Sequence, residues 1–356
     1  MDWMNLLGQL TAASSVSGSE ENIADTVLSL LSPYCDSAEQ RQGNVLGTLG
    51  ERQPGKPHVL LDAHMDQVGF LVTAITEEGF LRVGNAGGLD FRLMPAQRVT
   101  VHGKQDIPGV ICCVPPHLQG GEEHVLSVTE LAIDTGYTKA ELEQIVTQGD
   151  TVPFAMPLLP MENDRVCGRS LDDRSGIAAI LYALSLVQGE ELPCSCSVLF
   201  STQEETGERG ATIGAFTIEP DIALAVDVTF ALGHGDDPVK CGKMGGGPMI
   251  GISPTLSRDV TNALIAAADA EQILKIIQNH LDARAGKRYP SKRKTVSSTA
   301  LFEQIRDQRK QYDADMKALF TELQETLPYC REDFQAHREL LPILFALSED
   351  IEQVLW

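Results

Sequence analysis

Four short stretches of this sequence end in groups that bind metals or move protons: His64-Met65-Asp66, Asp172-Asp173, Glu204-Glu205 and Asp227. Imidazole and carboxylate ligands suit borderline-to-hard divalent ions such as zinc, cobalt or manganese, and a carboxylate can bridge two of them. Two ions about 3.5–4 Å apart lower the pKa of a shared water and stabilise the oxyanion formed when it attacks a carbonyl. Such a site also needs a carboxylate that is not a ligand, to take the proton of the water and pass it to a leaving amine. Neighbouring Glu204 and Glu205 can divide those two tasks. Each group also has a plain structural reading. Asp172-Asp173 can be a helix N-cap and its neighbour, Glu204-Glu205 an exposed acidic loop, and His64 a strand-end histidine bonded to backbone. An adjacent pair fits a glycosidase poorly, because that chemistry sets two carboxylates at least about 5 Å apart across the scissile bond. No Gly-x-Ser-x-Gly elbow of a serine hydrolase occurs, and Lys243 to Pro248 lacks the lysine-Ser/Thr ending of a phosphate loop, so it reads as a tight turn near the site.

The elements that must carry these groups are legible as an α/β alternation. Met1 to Leu31 reads as helical, with a Ser-rich break from Ser14 to Glu20 that looks like a helix start. A strand is expected after Gly43-Asn44-Val45, and the apolar run from His58 reads as a buried parallel strand delivering His64 and Asp66 at its carboxyl end. Asp172-Asp173 stands where an extended run, Asp164 to Cys167, gives way to an apolar helix, Ile177 to Leu186. Strands at Ser195 to Ser201 and Ile222 to Val228 lead into Glu204-Glu205 and Asp227. The recurrence of acidic residues at the carboxyl ends of successive strands is the strongest signal for one site.

From about Leu71 the texture changes to short β-rich runs punctuated by glycine, with one helical period, Thr138 to Val146, which predicts a small barrel or sandwich. The organisation expected is therefore a mixed-sheet α/β domain with helices on both faces (1–70 and 156–286), an inserted β-domain (71–155) and a helical tail (287–356). Thr151 to Glu162, with three prolines, is the return crossing. Beyond Gly286 the tail carries no glycine; a basic stretch from Arg284 to Lys294 across its junction reads as a solvated linker, and Leu301, Ile305, Tyr312, Met316, Leu319, Leu323 and Leu327 lie on one helical face. His117, after Pro115-Pro116, reads as a loop residue.

With 28 Lys and Arg against 50 Asp and Glu, the net charge of −22 argues against nucleic acid or an anionic membrane as partner. Eight cysteines without a disulfide or zinc spacing read as ordinary thiols of a reducing compartment. The first thirty residues have no secretory pattern and no run of about 18 apolar residues occurs, so the cytoplasm is the expected location.

Four motifs in register, Ala63-His64-Met65-Asp66-Gln67-Val68-Gly69-Phe70, Leu171-Asp172-Asp173-Arg174, Gln203-Glu204-Glu205-Thr206-Gly207 and Ala225-Val226-Asp227-Val228-Thr229, resemble those of the tetrahedral aminopeptidases, which include glutamyl and deblocking aminopeptidases, some labelled endoglucanases. The resemblance runs from about residue 5 to about residue 270 and includes Gly87-Gly88 and Ile107-Pro108-Gly109-Val110 in the inserted domain. It implies a di-metal aminopeptidase that removes N-terminal residues from peptides, with Asp172 bridging the ions ahead of a cis peptide. It further implies that His64 and Asp227 complete one metal site, that Glu205 binds the other ion and that Glu204 is the general base. Asp66 would orient His64, a role that also fits the behaviour of metal-bound imidazoles, while Asp173 and Arg174 fix the corner. The inserted domain would drive assembly into dimers and then a hollow dodecamer. After about Ala270 the pattern departs. The family's Arg-Tyr-x-His-Ser-Pro-like motif, whose histidine is the last ligand of the Glu205 site, is answered by Arg288-Tyr289-Pro290, leaving His234, His280 and His337 as substitutes. A chain lacking that ligand reads alternatively as a non-catalytic assembly or binding protein, and a glycan hydrolase is a third reading.

Overall fold

The computed structural model describes residues 2–115, 125–233, 235, 237 and 240–268. The expected tail, its basic opening, and His117, His234, His280 and His337 lie outside these residues. The chain divides at Gly245, and beyond that point residues 258–268 are helical.

Two helices, α1 (Trp3–Ala12) and α2 (Glu21–Leu31), precede the strands β1 (Ser37–Arg41), β2 (Asn44–Leu49) and β3 (His58–His64). Six strands then form a closed barrel: β4 (Gly69–Ile75), β5 (Phe80–Ala86), β6 (Arg98–His102), β7 (Asp106–Cys113), β8 (Leu131–Asp134) and, after helix α3 (Lys139–Ile145), β9 (Thr151–Val152). A short hairpin, β10 (Leu159–Met161) with β11 (Arg165–Cys167), leads back to helix α4 (Leu171–Leu186), strand β12 (Ser195–Ser201), helix α5 (Arg209–Ile218) and strand β13 (Ile222–Ala225).

The main sheet runs β1-β2-β12-β3-β13, with β12 and β13 parallel to β3 and the other two pairings antiparallel. Every residue of β12 is buried, as expected for a central strand covered on both faces. Alternation does the sorting. Val198 and Phe200 join Val45 and Ala63 beneath α1, α2 and α4, whereas Leu199 faces the other way with Leu46 and Leu60 beneath Ala215 and Ile218 of α5. The barrel obeys the same period, with Val99 and Val101, Ile107 and Ile111, and Leu131 and Ile133 buried inside. Its insertion point follows β3 within five residues, so the loop Met65 to Val68 belongs both to the sheet's carboxyl edge and to the barrel's first strand.

Strand β13 stops at Ala225, shorter than the expected run to Val228, and Asp227 therefore lies in the segment just beyond the strand. Strand β1 and helix α5 are additional to the elements expected from the sequence.

His58 opens β3 with its ring buried between two hydroxyls, Nδ1 2.7 Å from Ser195 Oγ and Nε2 3.0 Å from Ser197 Oγ. Burial first, and the charge of Arg52 second, hold this imidazole below its ordinary value. Because the folded-state pKa is depressed, the contribution of His58 is complete above the ordinary value of about 6.5 and is lost as pH falls below it. A His58→Asn variant is expected to show a flatter acid limb between about pH 6.5 and 5 in denaturant midpoints. The difference should not exceed about 1.4 kcal/mol per pH unit for one proton.

Candidate metal centre

The site is assembled at the carboxyl edge of the sheet, where three parallel strands release their chains. His64 is the last residue of β3 and is only 3% exposed. Its Nδ1 donates to the backbone oxygen of Asp66 at 3.0 Å and stands 3.4 Å from Asp66 Oδ1, while Nε2 donates to Asp172 Oδ1 at 2.9 Å. The first of these contacts is the arrangement that fixes the tautomer and ring plane of a metal-binding histidine. Asp66 itself is fully buried and accepts from the amides of Glu204 at 3.0 Å and Glu205 at 3.2 Å. One carboxylate thus ties the exit of β3 to the loop that leaves β12.

The exit of β12 is fixed from the other side as well. Asn44, buried at the start of β2, accepts from the Thr202 amide at 3.0 Å and donates to the Gly210 carbonyl at 3.0 Å. A Cβ at Gly210 would lie 2.4 Å from the Asn44 and Thr202 atoms, so only glycine lets α5 start this close to the strand. Between these anchors the chain turns at Gln203, in the left-handed region at φ 55°, and presents Glu204 and Glu205. The inserted barrel also reaches this loop: a Cβ on Gly87 would stand 3.0 Å from Glu205 Oε2.

At the head of α4 the backbone leaves helical geometry at Asp172 (φ −84°, ψ 107°) and Asp173 (φ −117°, ψ 42°), and the peptide between them is cis. The two side chains have different surroundings. Asp172 is exposed, and Asp173 is fully buried. Asp173 Oδ1 accepts from the Gly176 amide at 3.0 Å, the capping bond that the plain reading of this pair expects, but its Oδ2 is buried without a hydrogen-bond partner.

Among the described residues two groups of potential ligand atoms result, each with its atoms within 4.8 Å of one another: His64, Asp172 and Glu205, and His64, Asp173 and Asp227. Glu204 stands beside them with Oε2 3.9 Å from His64 Nε2. All six residues singled out from the sequence, His64, Asp66, Asp172, Glu204, Glu205 and Asp227, therefore meet in one place. His64 is common to both groups, Asp172 falls in one, and Asp173 joins as a donor that the sequence reading had placed only at the corner. Asp62, outside both groups, is a further carboxylate whose charge interacts with His64, Asp227 and Glu204. It precedes His64 by two on β3, and that spacing, which puts both on one face of the strand, was the available signal.

The electrostatics are those of a site built for positive charge. Burial, then the charge of Asp227, pushes Asp173 up to about 8; burial, then Asp172, pushes Glu205 up to about 7; burial pushes Asp62 up to about 6. Glu204 and Asp227 are raised for the same reasons, burial first and neighbouring carboxylates after it. Burial pulls the His64 imidazole down, but its hydrogen bonds with Asp172 and Asp66 outweigh this and carry it up to about 11. These hydrogen bonds favour the charged form of the imidazole. The unpartnered Asp173 oxygen, the mutual destabilisation of the carboxylates and the His/Asp/Glu donor set all fit divalent ions, whose binding displaces protons from such ligands.

The M42 glutamyl aminopeptidase family model matches residues 43–285. A putative aminopeptidase of Acetivibrio thermocellus is 33% identical over 257 residues, spanning 70% of this chain and 73% of the relative. Among solved structures, an aminopeptidase of the archaeon Desulfurococcus kamchatkensis superposes with a TM-score of 0.71 at 31% identity, covering 76% of this chain and 77% of that one. The Pyrococcus horikoshii TET1 peptidase, which can assemble into a tetrahedron or a large octahedral shell, superposes with a TM-score of 0.61 at 30% identity, covering 77% and 80%. The shared span takes in β2 through β13, the inserted barrel and every residue of the two ligand groups, and on that ground the chain belongs to the M42 glutamyl aminopeptidase family.

Proposed function

We propose that this chain is a metal-dependent aminopeptidase that holds two divalent ions, of zinc, cobalt or manganese, and releases N-terminal residues from peptides. The observation that carries the reading is the pair of ligand groups sharing His64, with a further carboxylate, Glu204, beside them. In this reading His64, Asp172, Glu205 and Asp227 hold the ions, and Asp173 supplies an additional oxygen. The bound ions would lower the pKa of a water and polarise the scissile carbonyl. Glu204 takes the proton of that water and delivers it to the departing amine. Its partial exposure gives it access to solvent and substrate, and its raised pKa brings it nearer to the neutrality that proton transfer favours. Asp66 keeps the His64 ring in place and, through the Glu204 and Glu205 amides, sets the direction of both side chains.

The division into a peptidase domain (1–70 and 156–286), an inserted β-domain (71–155) and a tail (287–356) belongs to the same proposal. The closed barrel supports the second, and the assembly of the TET1 relative supports a homo-oligomer. Among the described residues no helix is long and apolar enough to cross a membrane. The cysteine pattern supports a reducing compartment, the cytoplasm.

Metal content and peptidase activity measured on one preparation test the reading. After loading with zinc, cobalt or manganese, the protein is expected to hold two ions per chain and to release nitroaniline from amino-acid p-nitroanilides. No turnover with any of the metals or any N-terminal residue sinks the enzyme. One ion or none, without turnover, leaves the non-catalytic assembly protein in its place.

A further inference from the structure

Glu20 stands at the N-cap of α2, a position where Ser, Thr, Asp or Asn is the usual choice, and its side chain makes no capping bond. It is 6% exposed, a depth at which a carboxylate is rarely found without specific partners. Its Oε1 turns away from the helix, accepting from the Gly18 amide at 2.8 Å and, 183 residues along the chain, from the Gln203 amide at 3.1 Å. The next two amides, of Glu204 and Glu205, go to Asp66. Three consecutive backbone N–H groups are therefore held by two buried carboxylates, an anion-binding turn of the kind successive amides form. The same N-terminal segment fastens the far side of the loop, where Ser17 Oγ meets Thr206 Oγ1 at 3.0 Å, and it is itself paired to the site's other loop by Ser17 N to Gln67 O at 3.1 Å and Gln67 N to Ser15 O at 3.0 Å.

We propose that Glu20 is a positioning residue for the metal centre: with Asp66 it clamps the amides of residues 203–205 and so fixes which way Glu204 and Glu205 point. The inference rests on the peptidase reading for its catalytic consequence and on the hydrogen bonds alone for the clamp. Glu20 belongs to neither group of potential ligand atoms. Its reach matters more than its charge, because the carboxylate must span from the head of α2 to the exit of β12.

Two substitutions separate this role from that of a helix cap. Glu20→Asp keeps the charge and improves the cap but is one methylene too short to reach Gln203, whereas Glu20→Gln keeps the reach and an acceptor oxygen but is the poorer cap. Hydrogen exchange at the amides of 203–205 in metal-free protein, with kcat and KM of the metal-loaded enzyme, reads the difference. Glu20→Asp is expected to speed exchange at these amides and to lower kcat by about 10–100-fold with little change in KM, the usual cost of losing a group that orients a ligand. Glu20→Gln is expected to stay within about threefold of the native protein on both readouts, since a neutral acceptor retains most of such a hydrogen bond. The proposal is overturned if Glu20→Asp exchanges and turns over like the native protein, or if Glu20→Gln falls as far as Glu20→Asp. Should the native protein show no turnover, the peptidase reading fails, and the exchange measurement alone decides the clamp.

Discussion

Glu204→Gln is expected to lower kcat on amino-acid p-nitroanilides by about 10²–10⁴-fold, the range of a lost general base, while two ions per chain remain bound. The substitution is nearly isosteric, so the Glu204 amide keeps its bond to Asp66 and the turn from Gln203 to Gly207 keeps its shape. What disappears is the ability to accept a proton at the oxygen that stands 3.9 Å from His64 Nε2. The neighbouring change, Glu205→Gln, is of a different kind, because Glu205 belongs to one of the two ligand groups and its weakening acts through the ion. Steady-state kinetics with metal analysis of the same samples distinguish the two. A Glu204→Gln protein that retains kcat within about threefold removes Glu204 from the base role, since a lost general base costs at least about 10²-fold.

The residues that meet at this centre were legible because each follows a strand or precedes a helix with a clear apolar pattern. Strand β12 occupies Ser195–Ser201, the run expected from its uninterrupted apolar and small residues, and β3 delivers His64 as its last residue. What the local pattern could not encode is direction. Asp172 and Asp173 are adjacent, yet one faces solvent and the other is buried with an unpartnered oxygen, a difference set by backbone angles at the head of α4 that composition does not specify. Glu20 read as part of a helix start, and its true partner lies on another loop.

Two elements escaped for opposite reasons. Strand β1 has no buried residue and pairs only with β2 at the sheet edge, so it carries no apolar alternation to detect. Helix α5 contains Gly210 and Gly214, which lower helix propensity, and its Phe216 is 83% exposed, which blurs the apolar stripe. Those glycines answer to packing: a Cβ at Gly214 would come within 2.3 Å of Leu199 on the central strand. Close approach of helix to sheet, a tertiary requirement, overrode local preference at both positions.

The corner at α4 depends on one further residue, and its removal is expected to have the largest effect on stability. Arg174 is the largest fully buried side chain among the described residues. Its guanidinium donates through Nη1 to the Leu10 carbonyl at 2.6 Å and through Nη2 to Ser15 Oγ and the Met65 carbonyl at 2.5 Å, joining α1, the loop after it and the site loop between His64 and Asp66. Burial first, and Arg169 second, lower its pKa to about 9, against the opposing pull of Asp66, Asp173 and Glu20, so the group stays charged at neutral pH. Arg174→Met fills much of the volume but leaves two buried carbonyls and the Ser15 hydroxyl without their donor, and is expected to cost about 2–5 kcal/mol, at about 1–3 kcal/mol for each buried acceptor left unsatisfied. Arg174→Lys retains the charge without the fork that reaches three acceptors at once, and is expected to fall between the two. Denaturant midpoints of the metal-free proteins give the comparison. A loss below about 1 kcal/mol for Arg174→Met would place the holding of this corner in the apolar packing of α4 against β3 instead, because a lone neutral hydrogen bond is worth about that much.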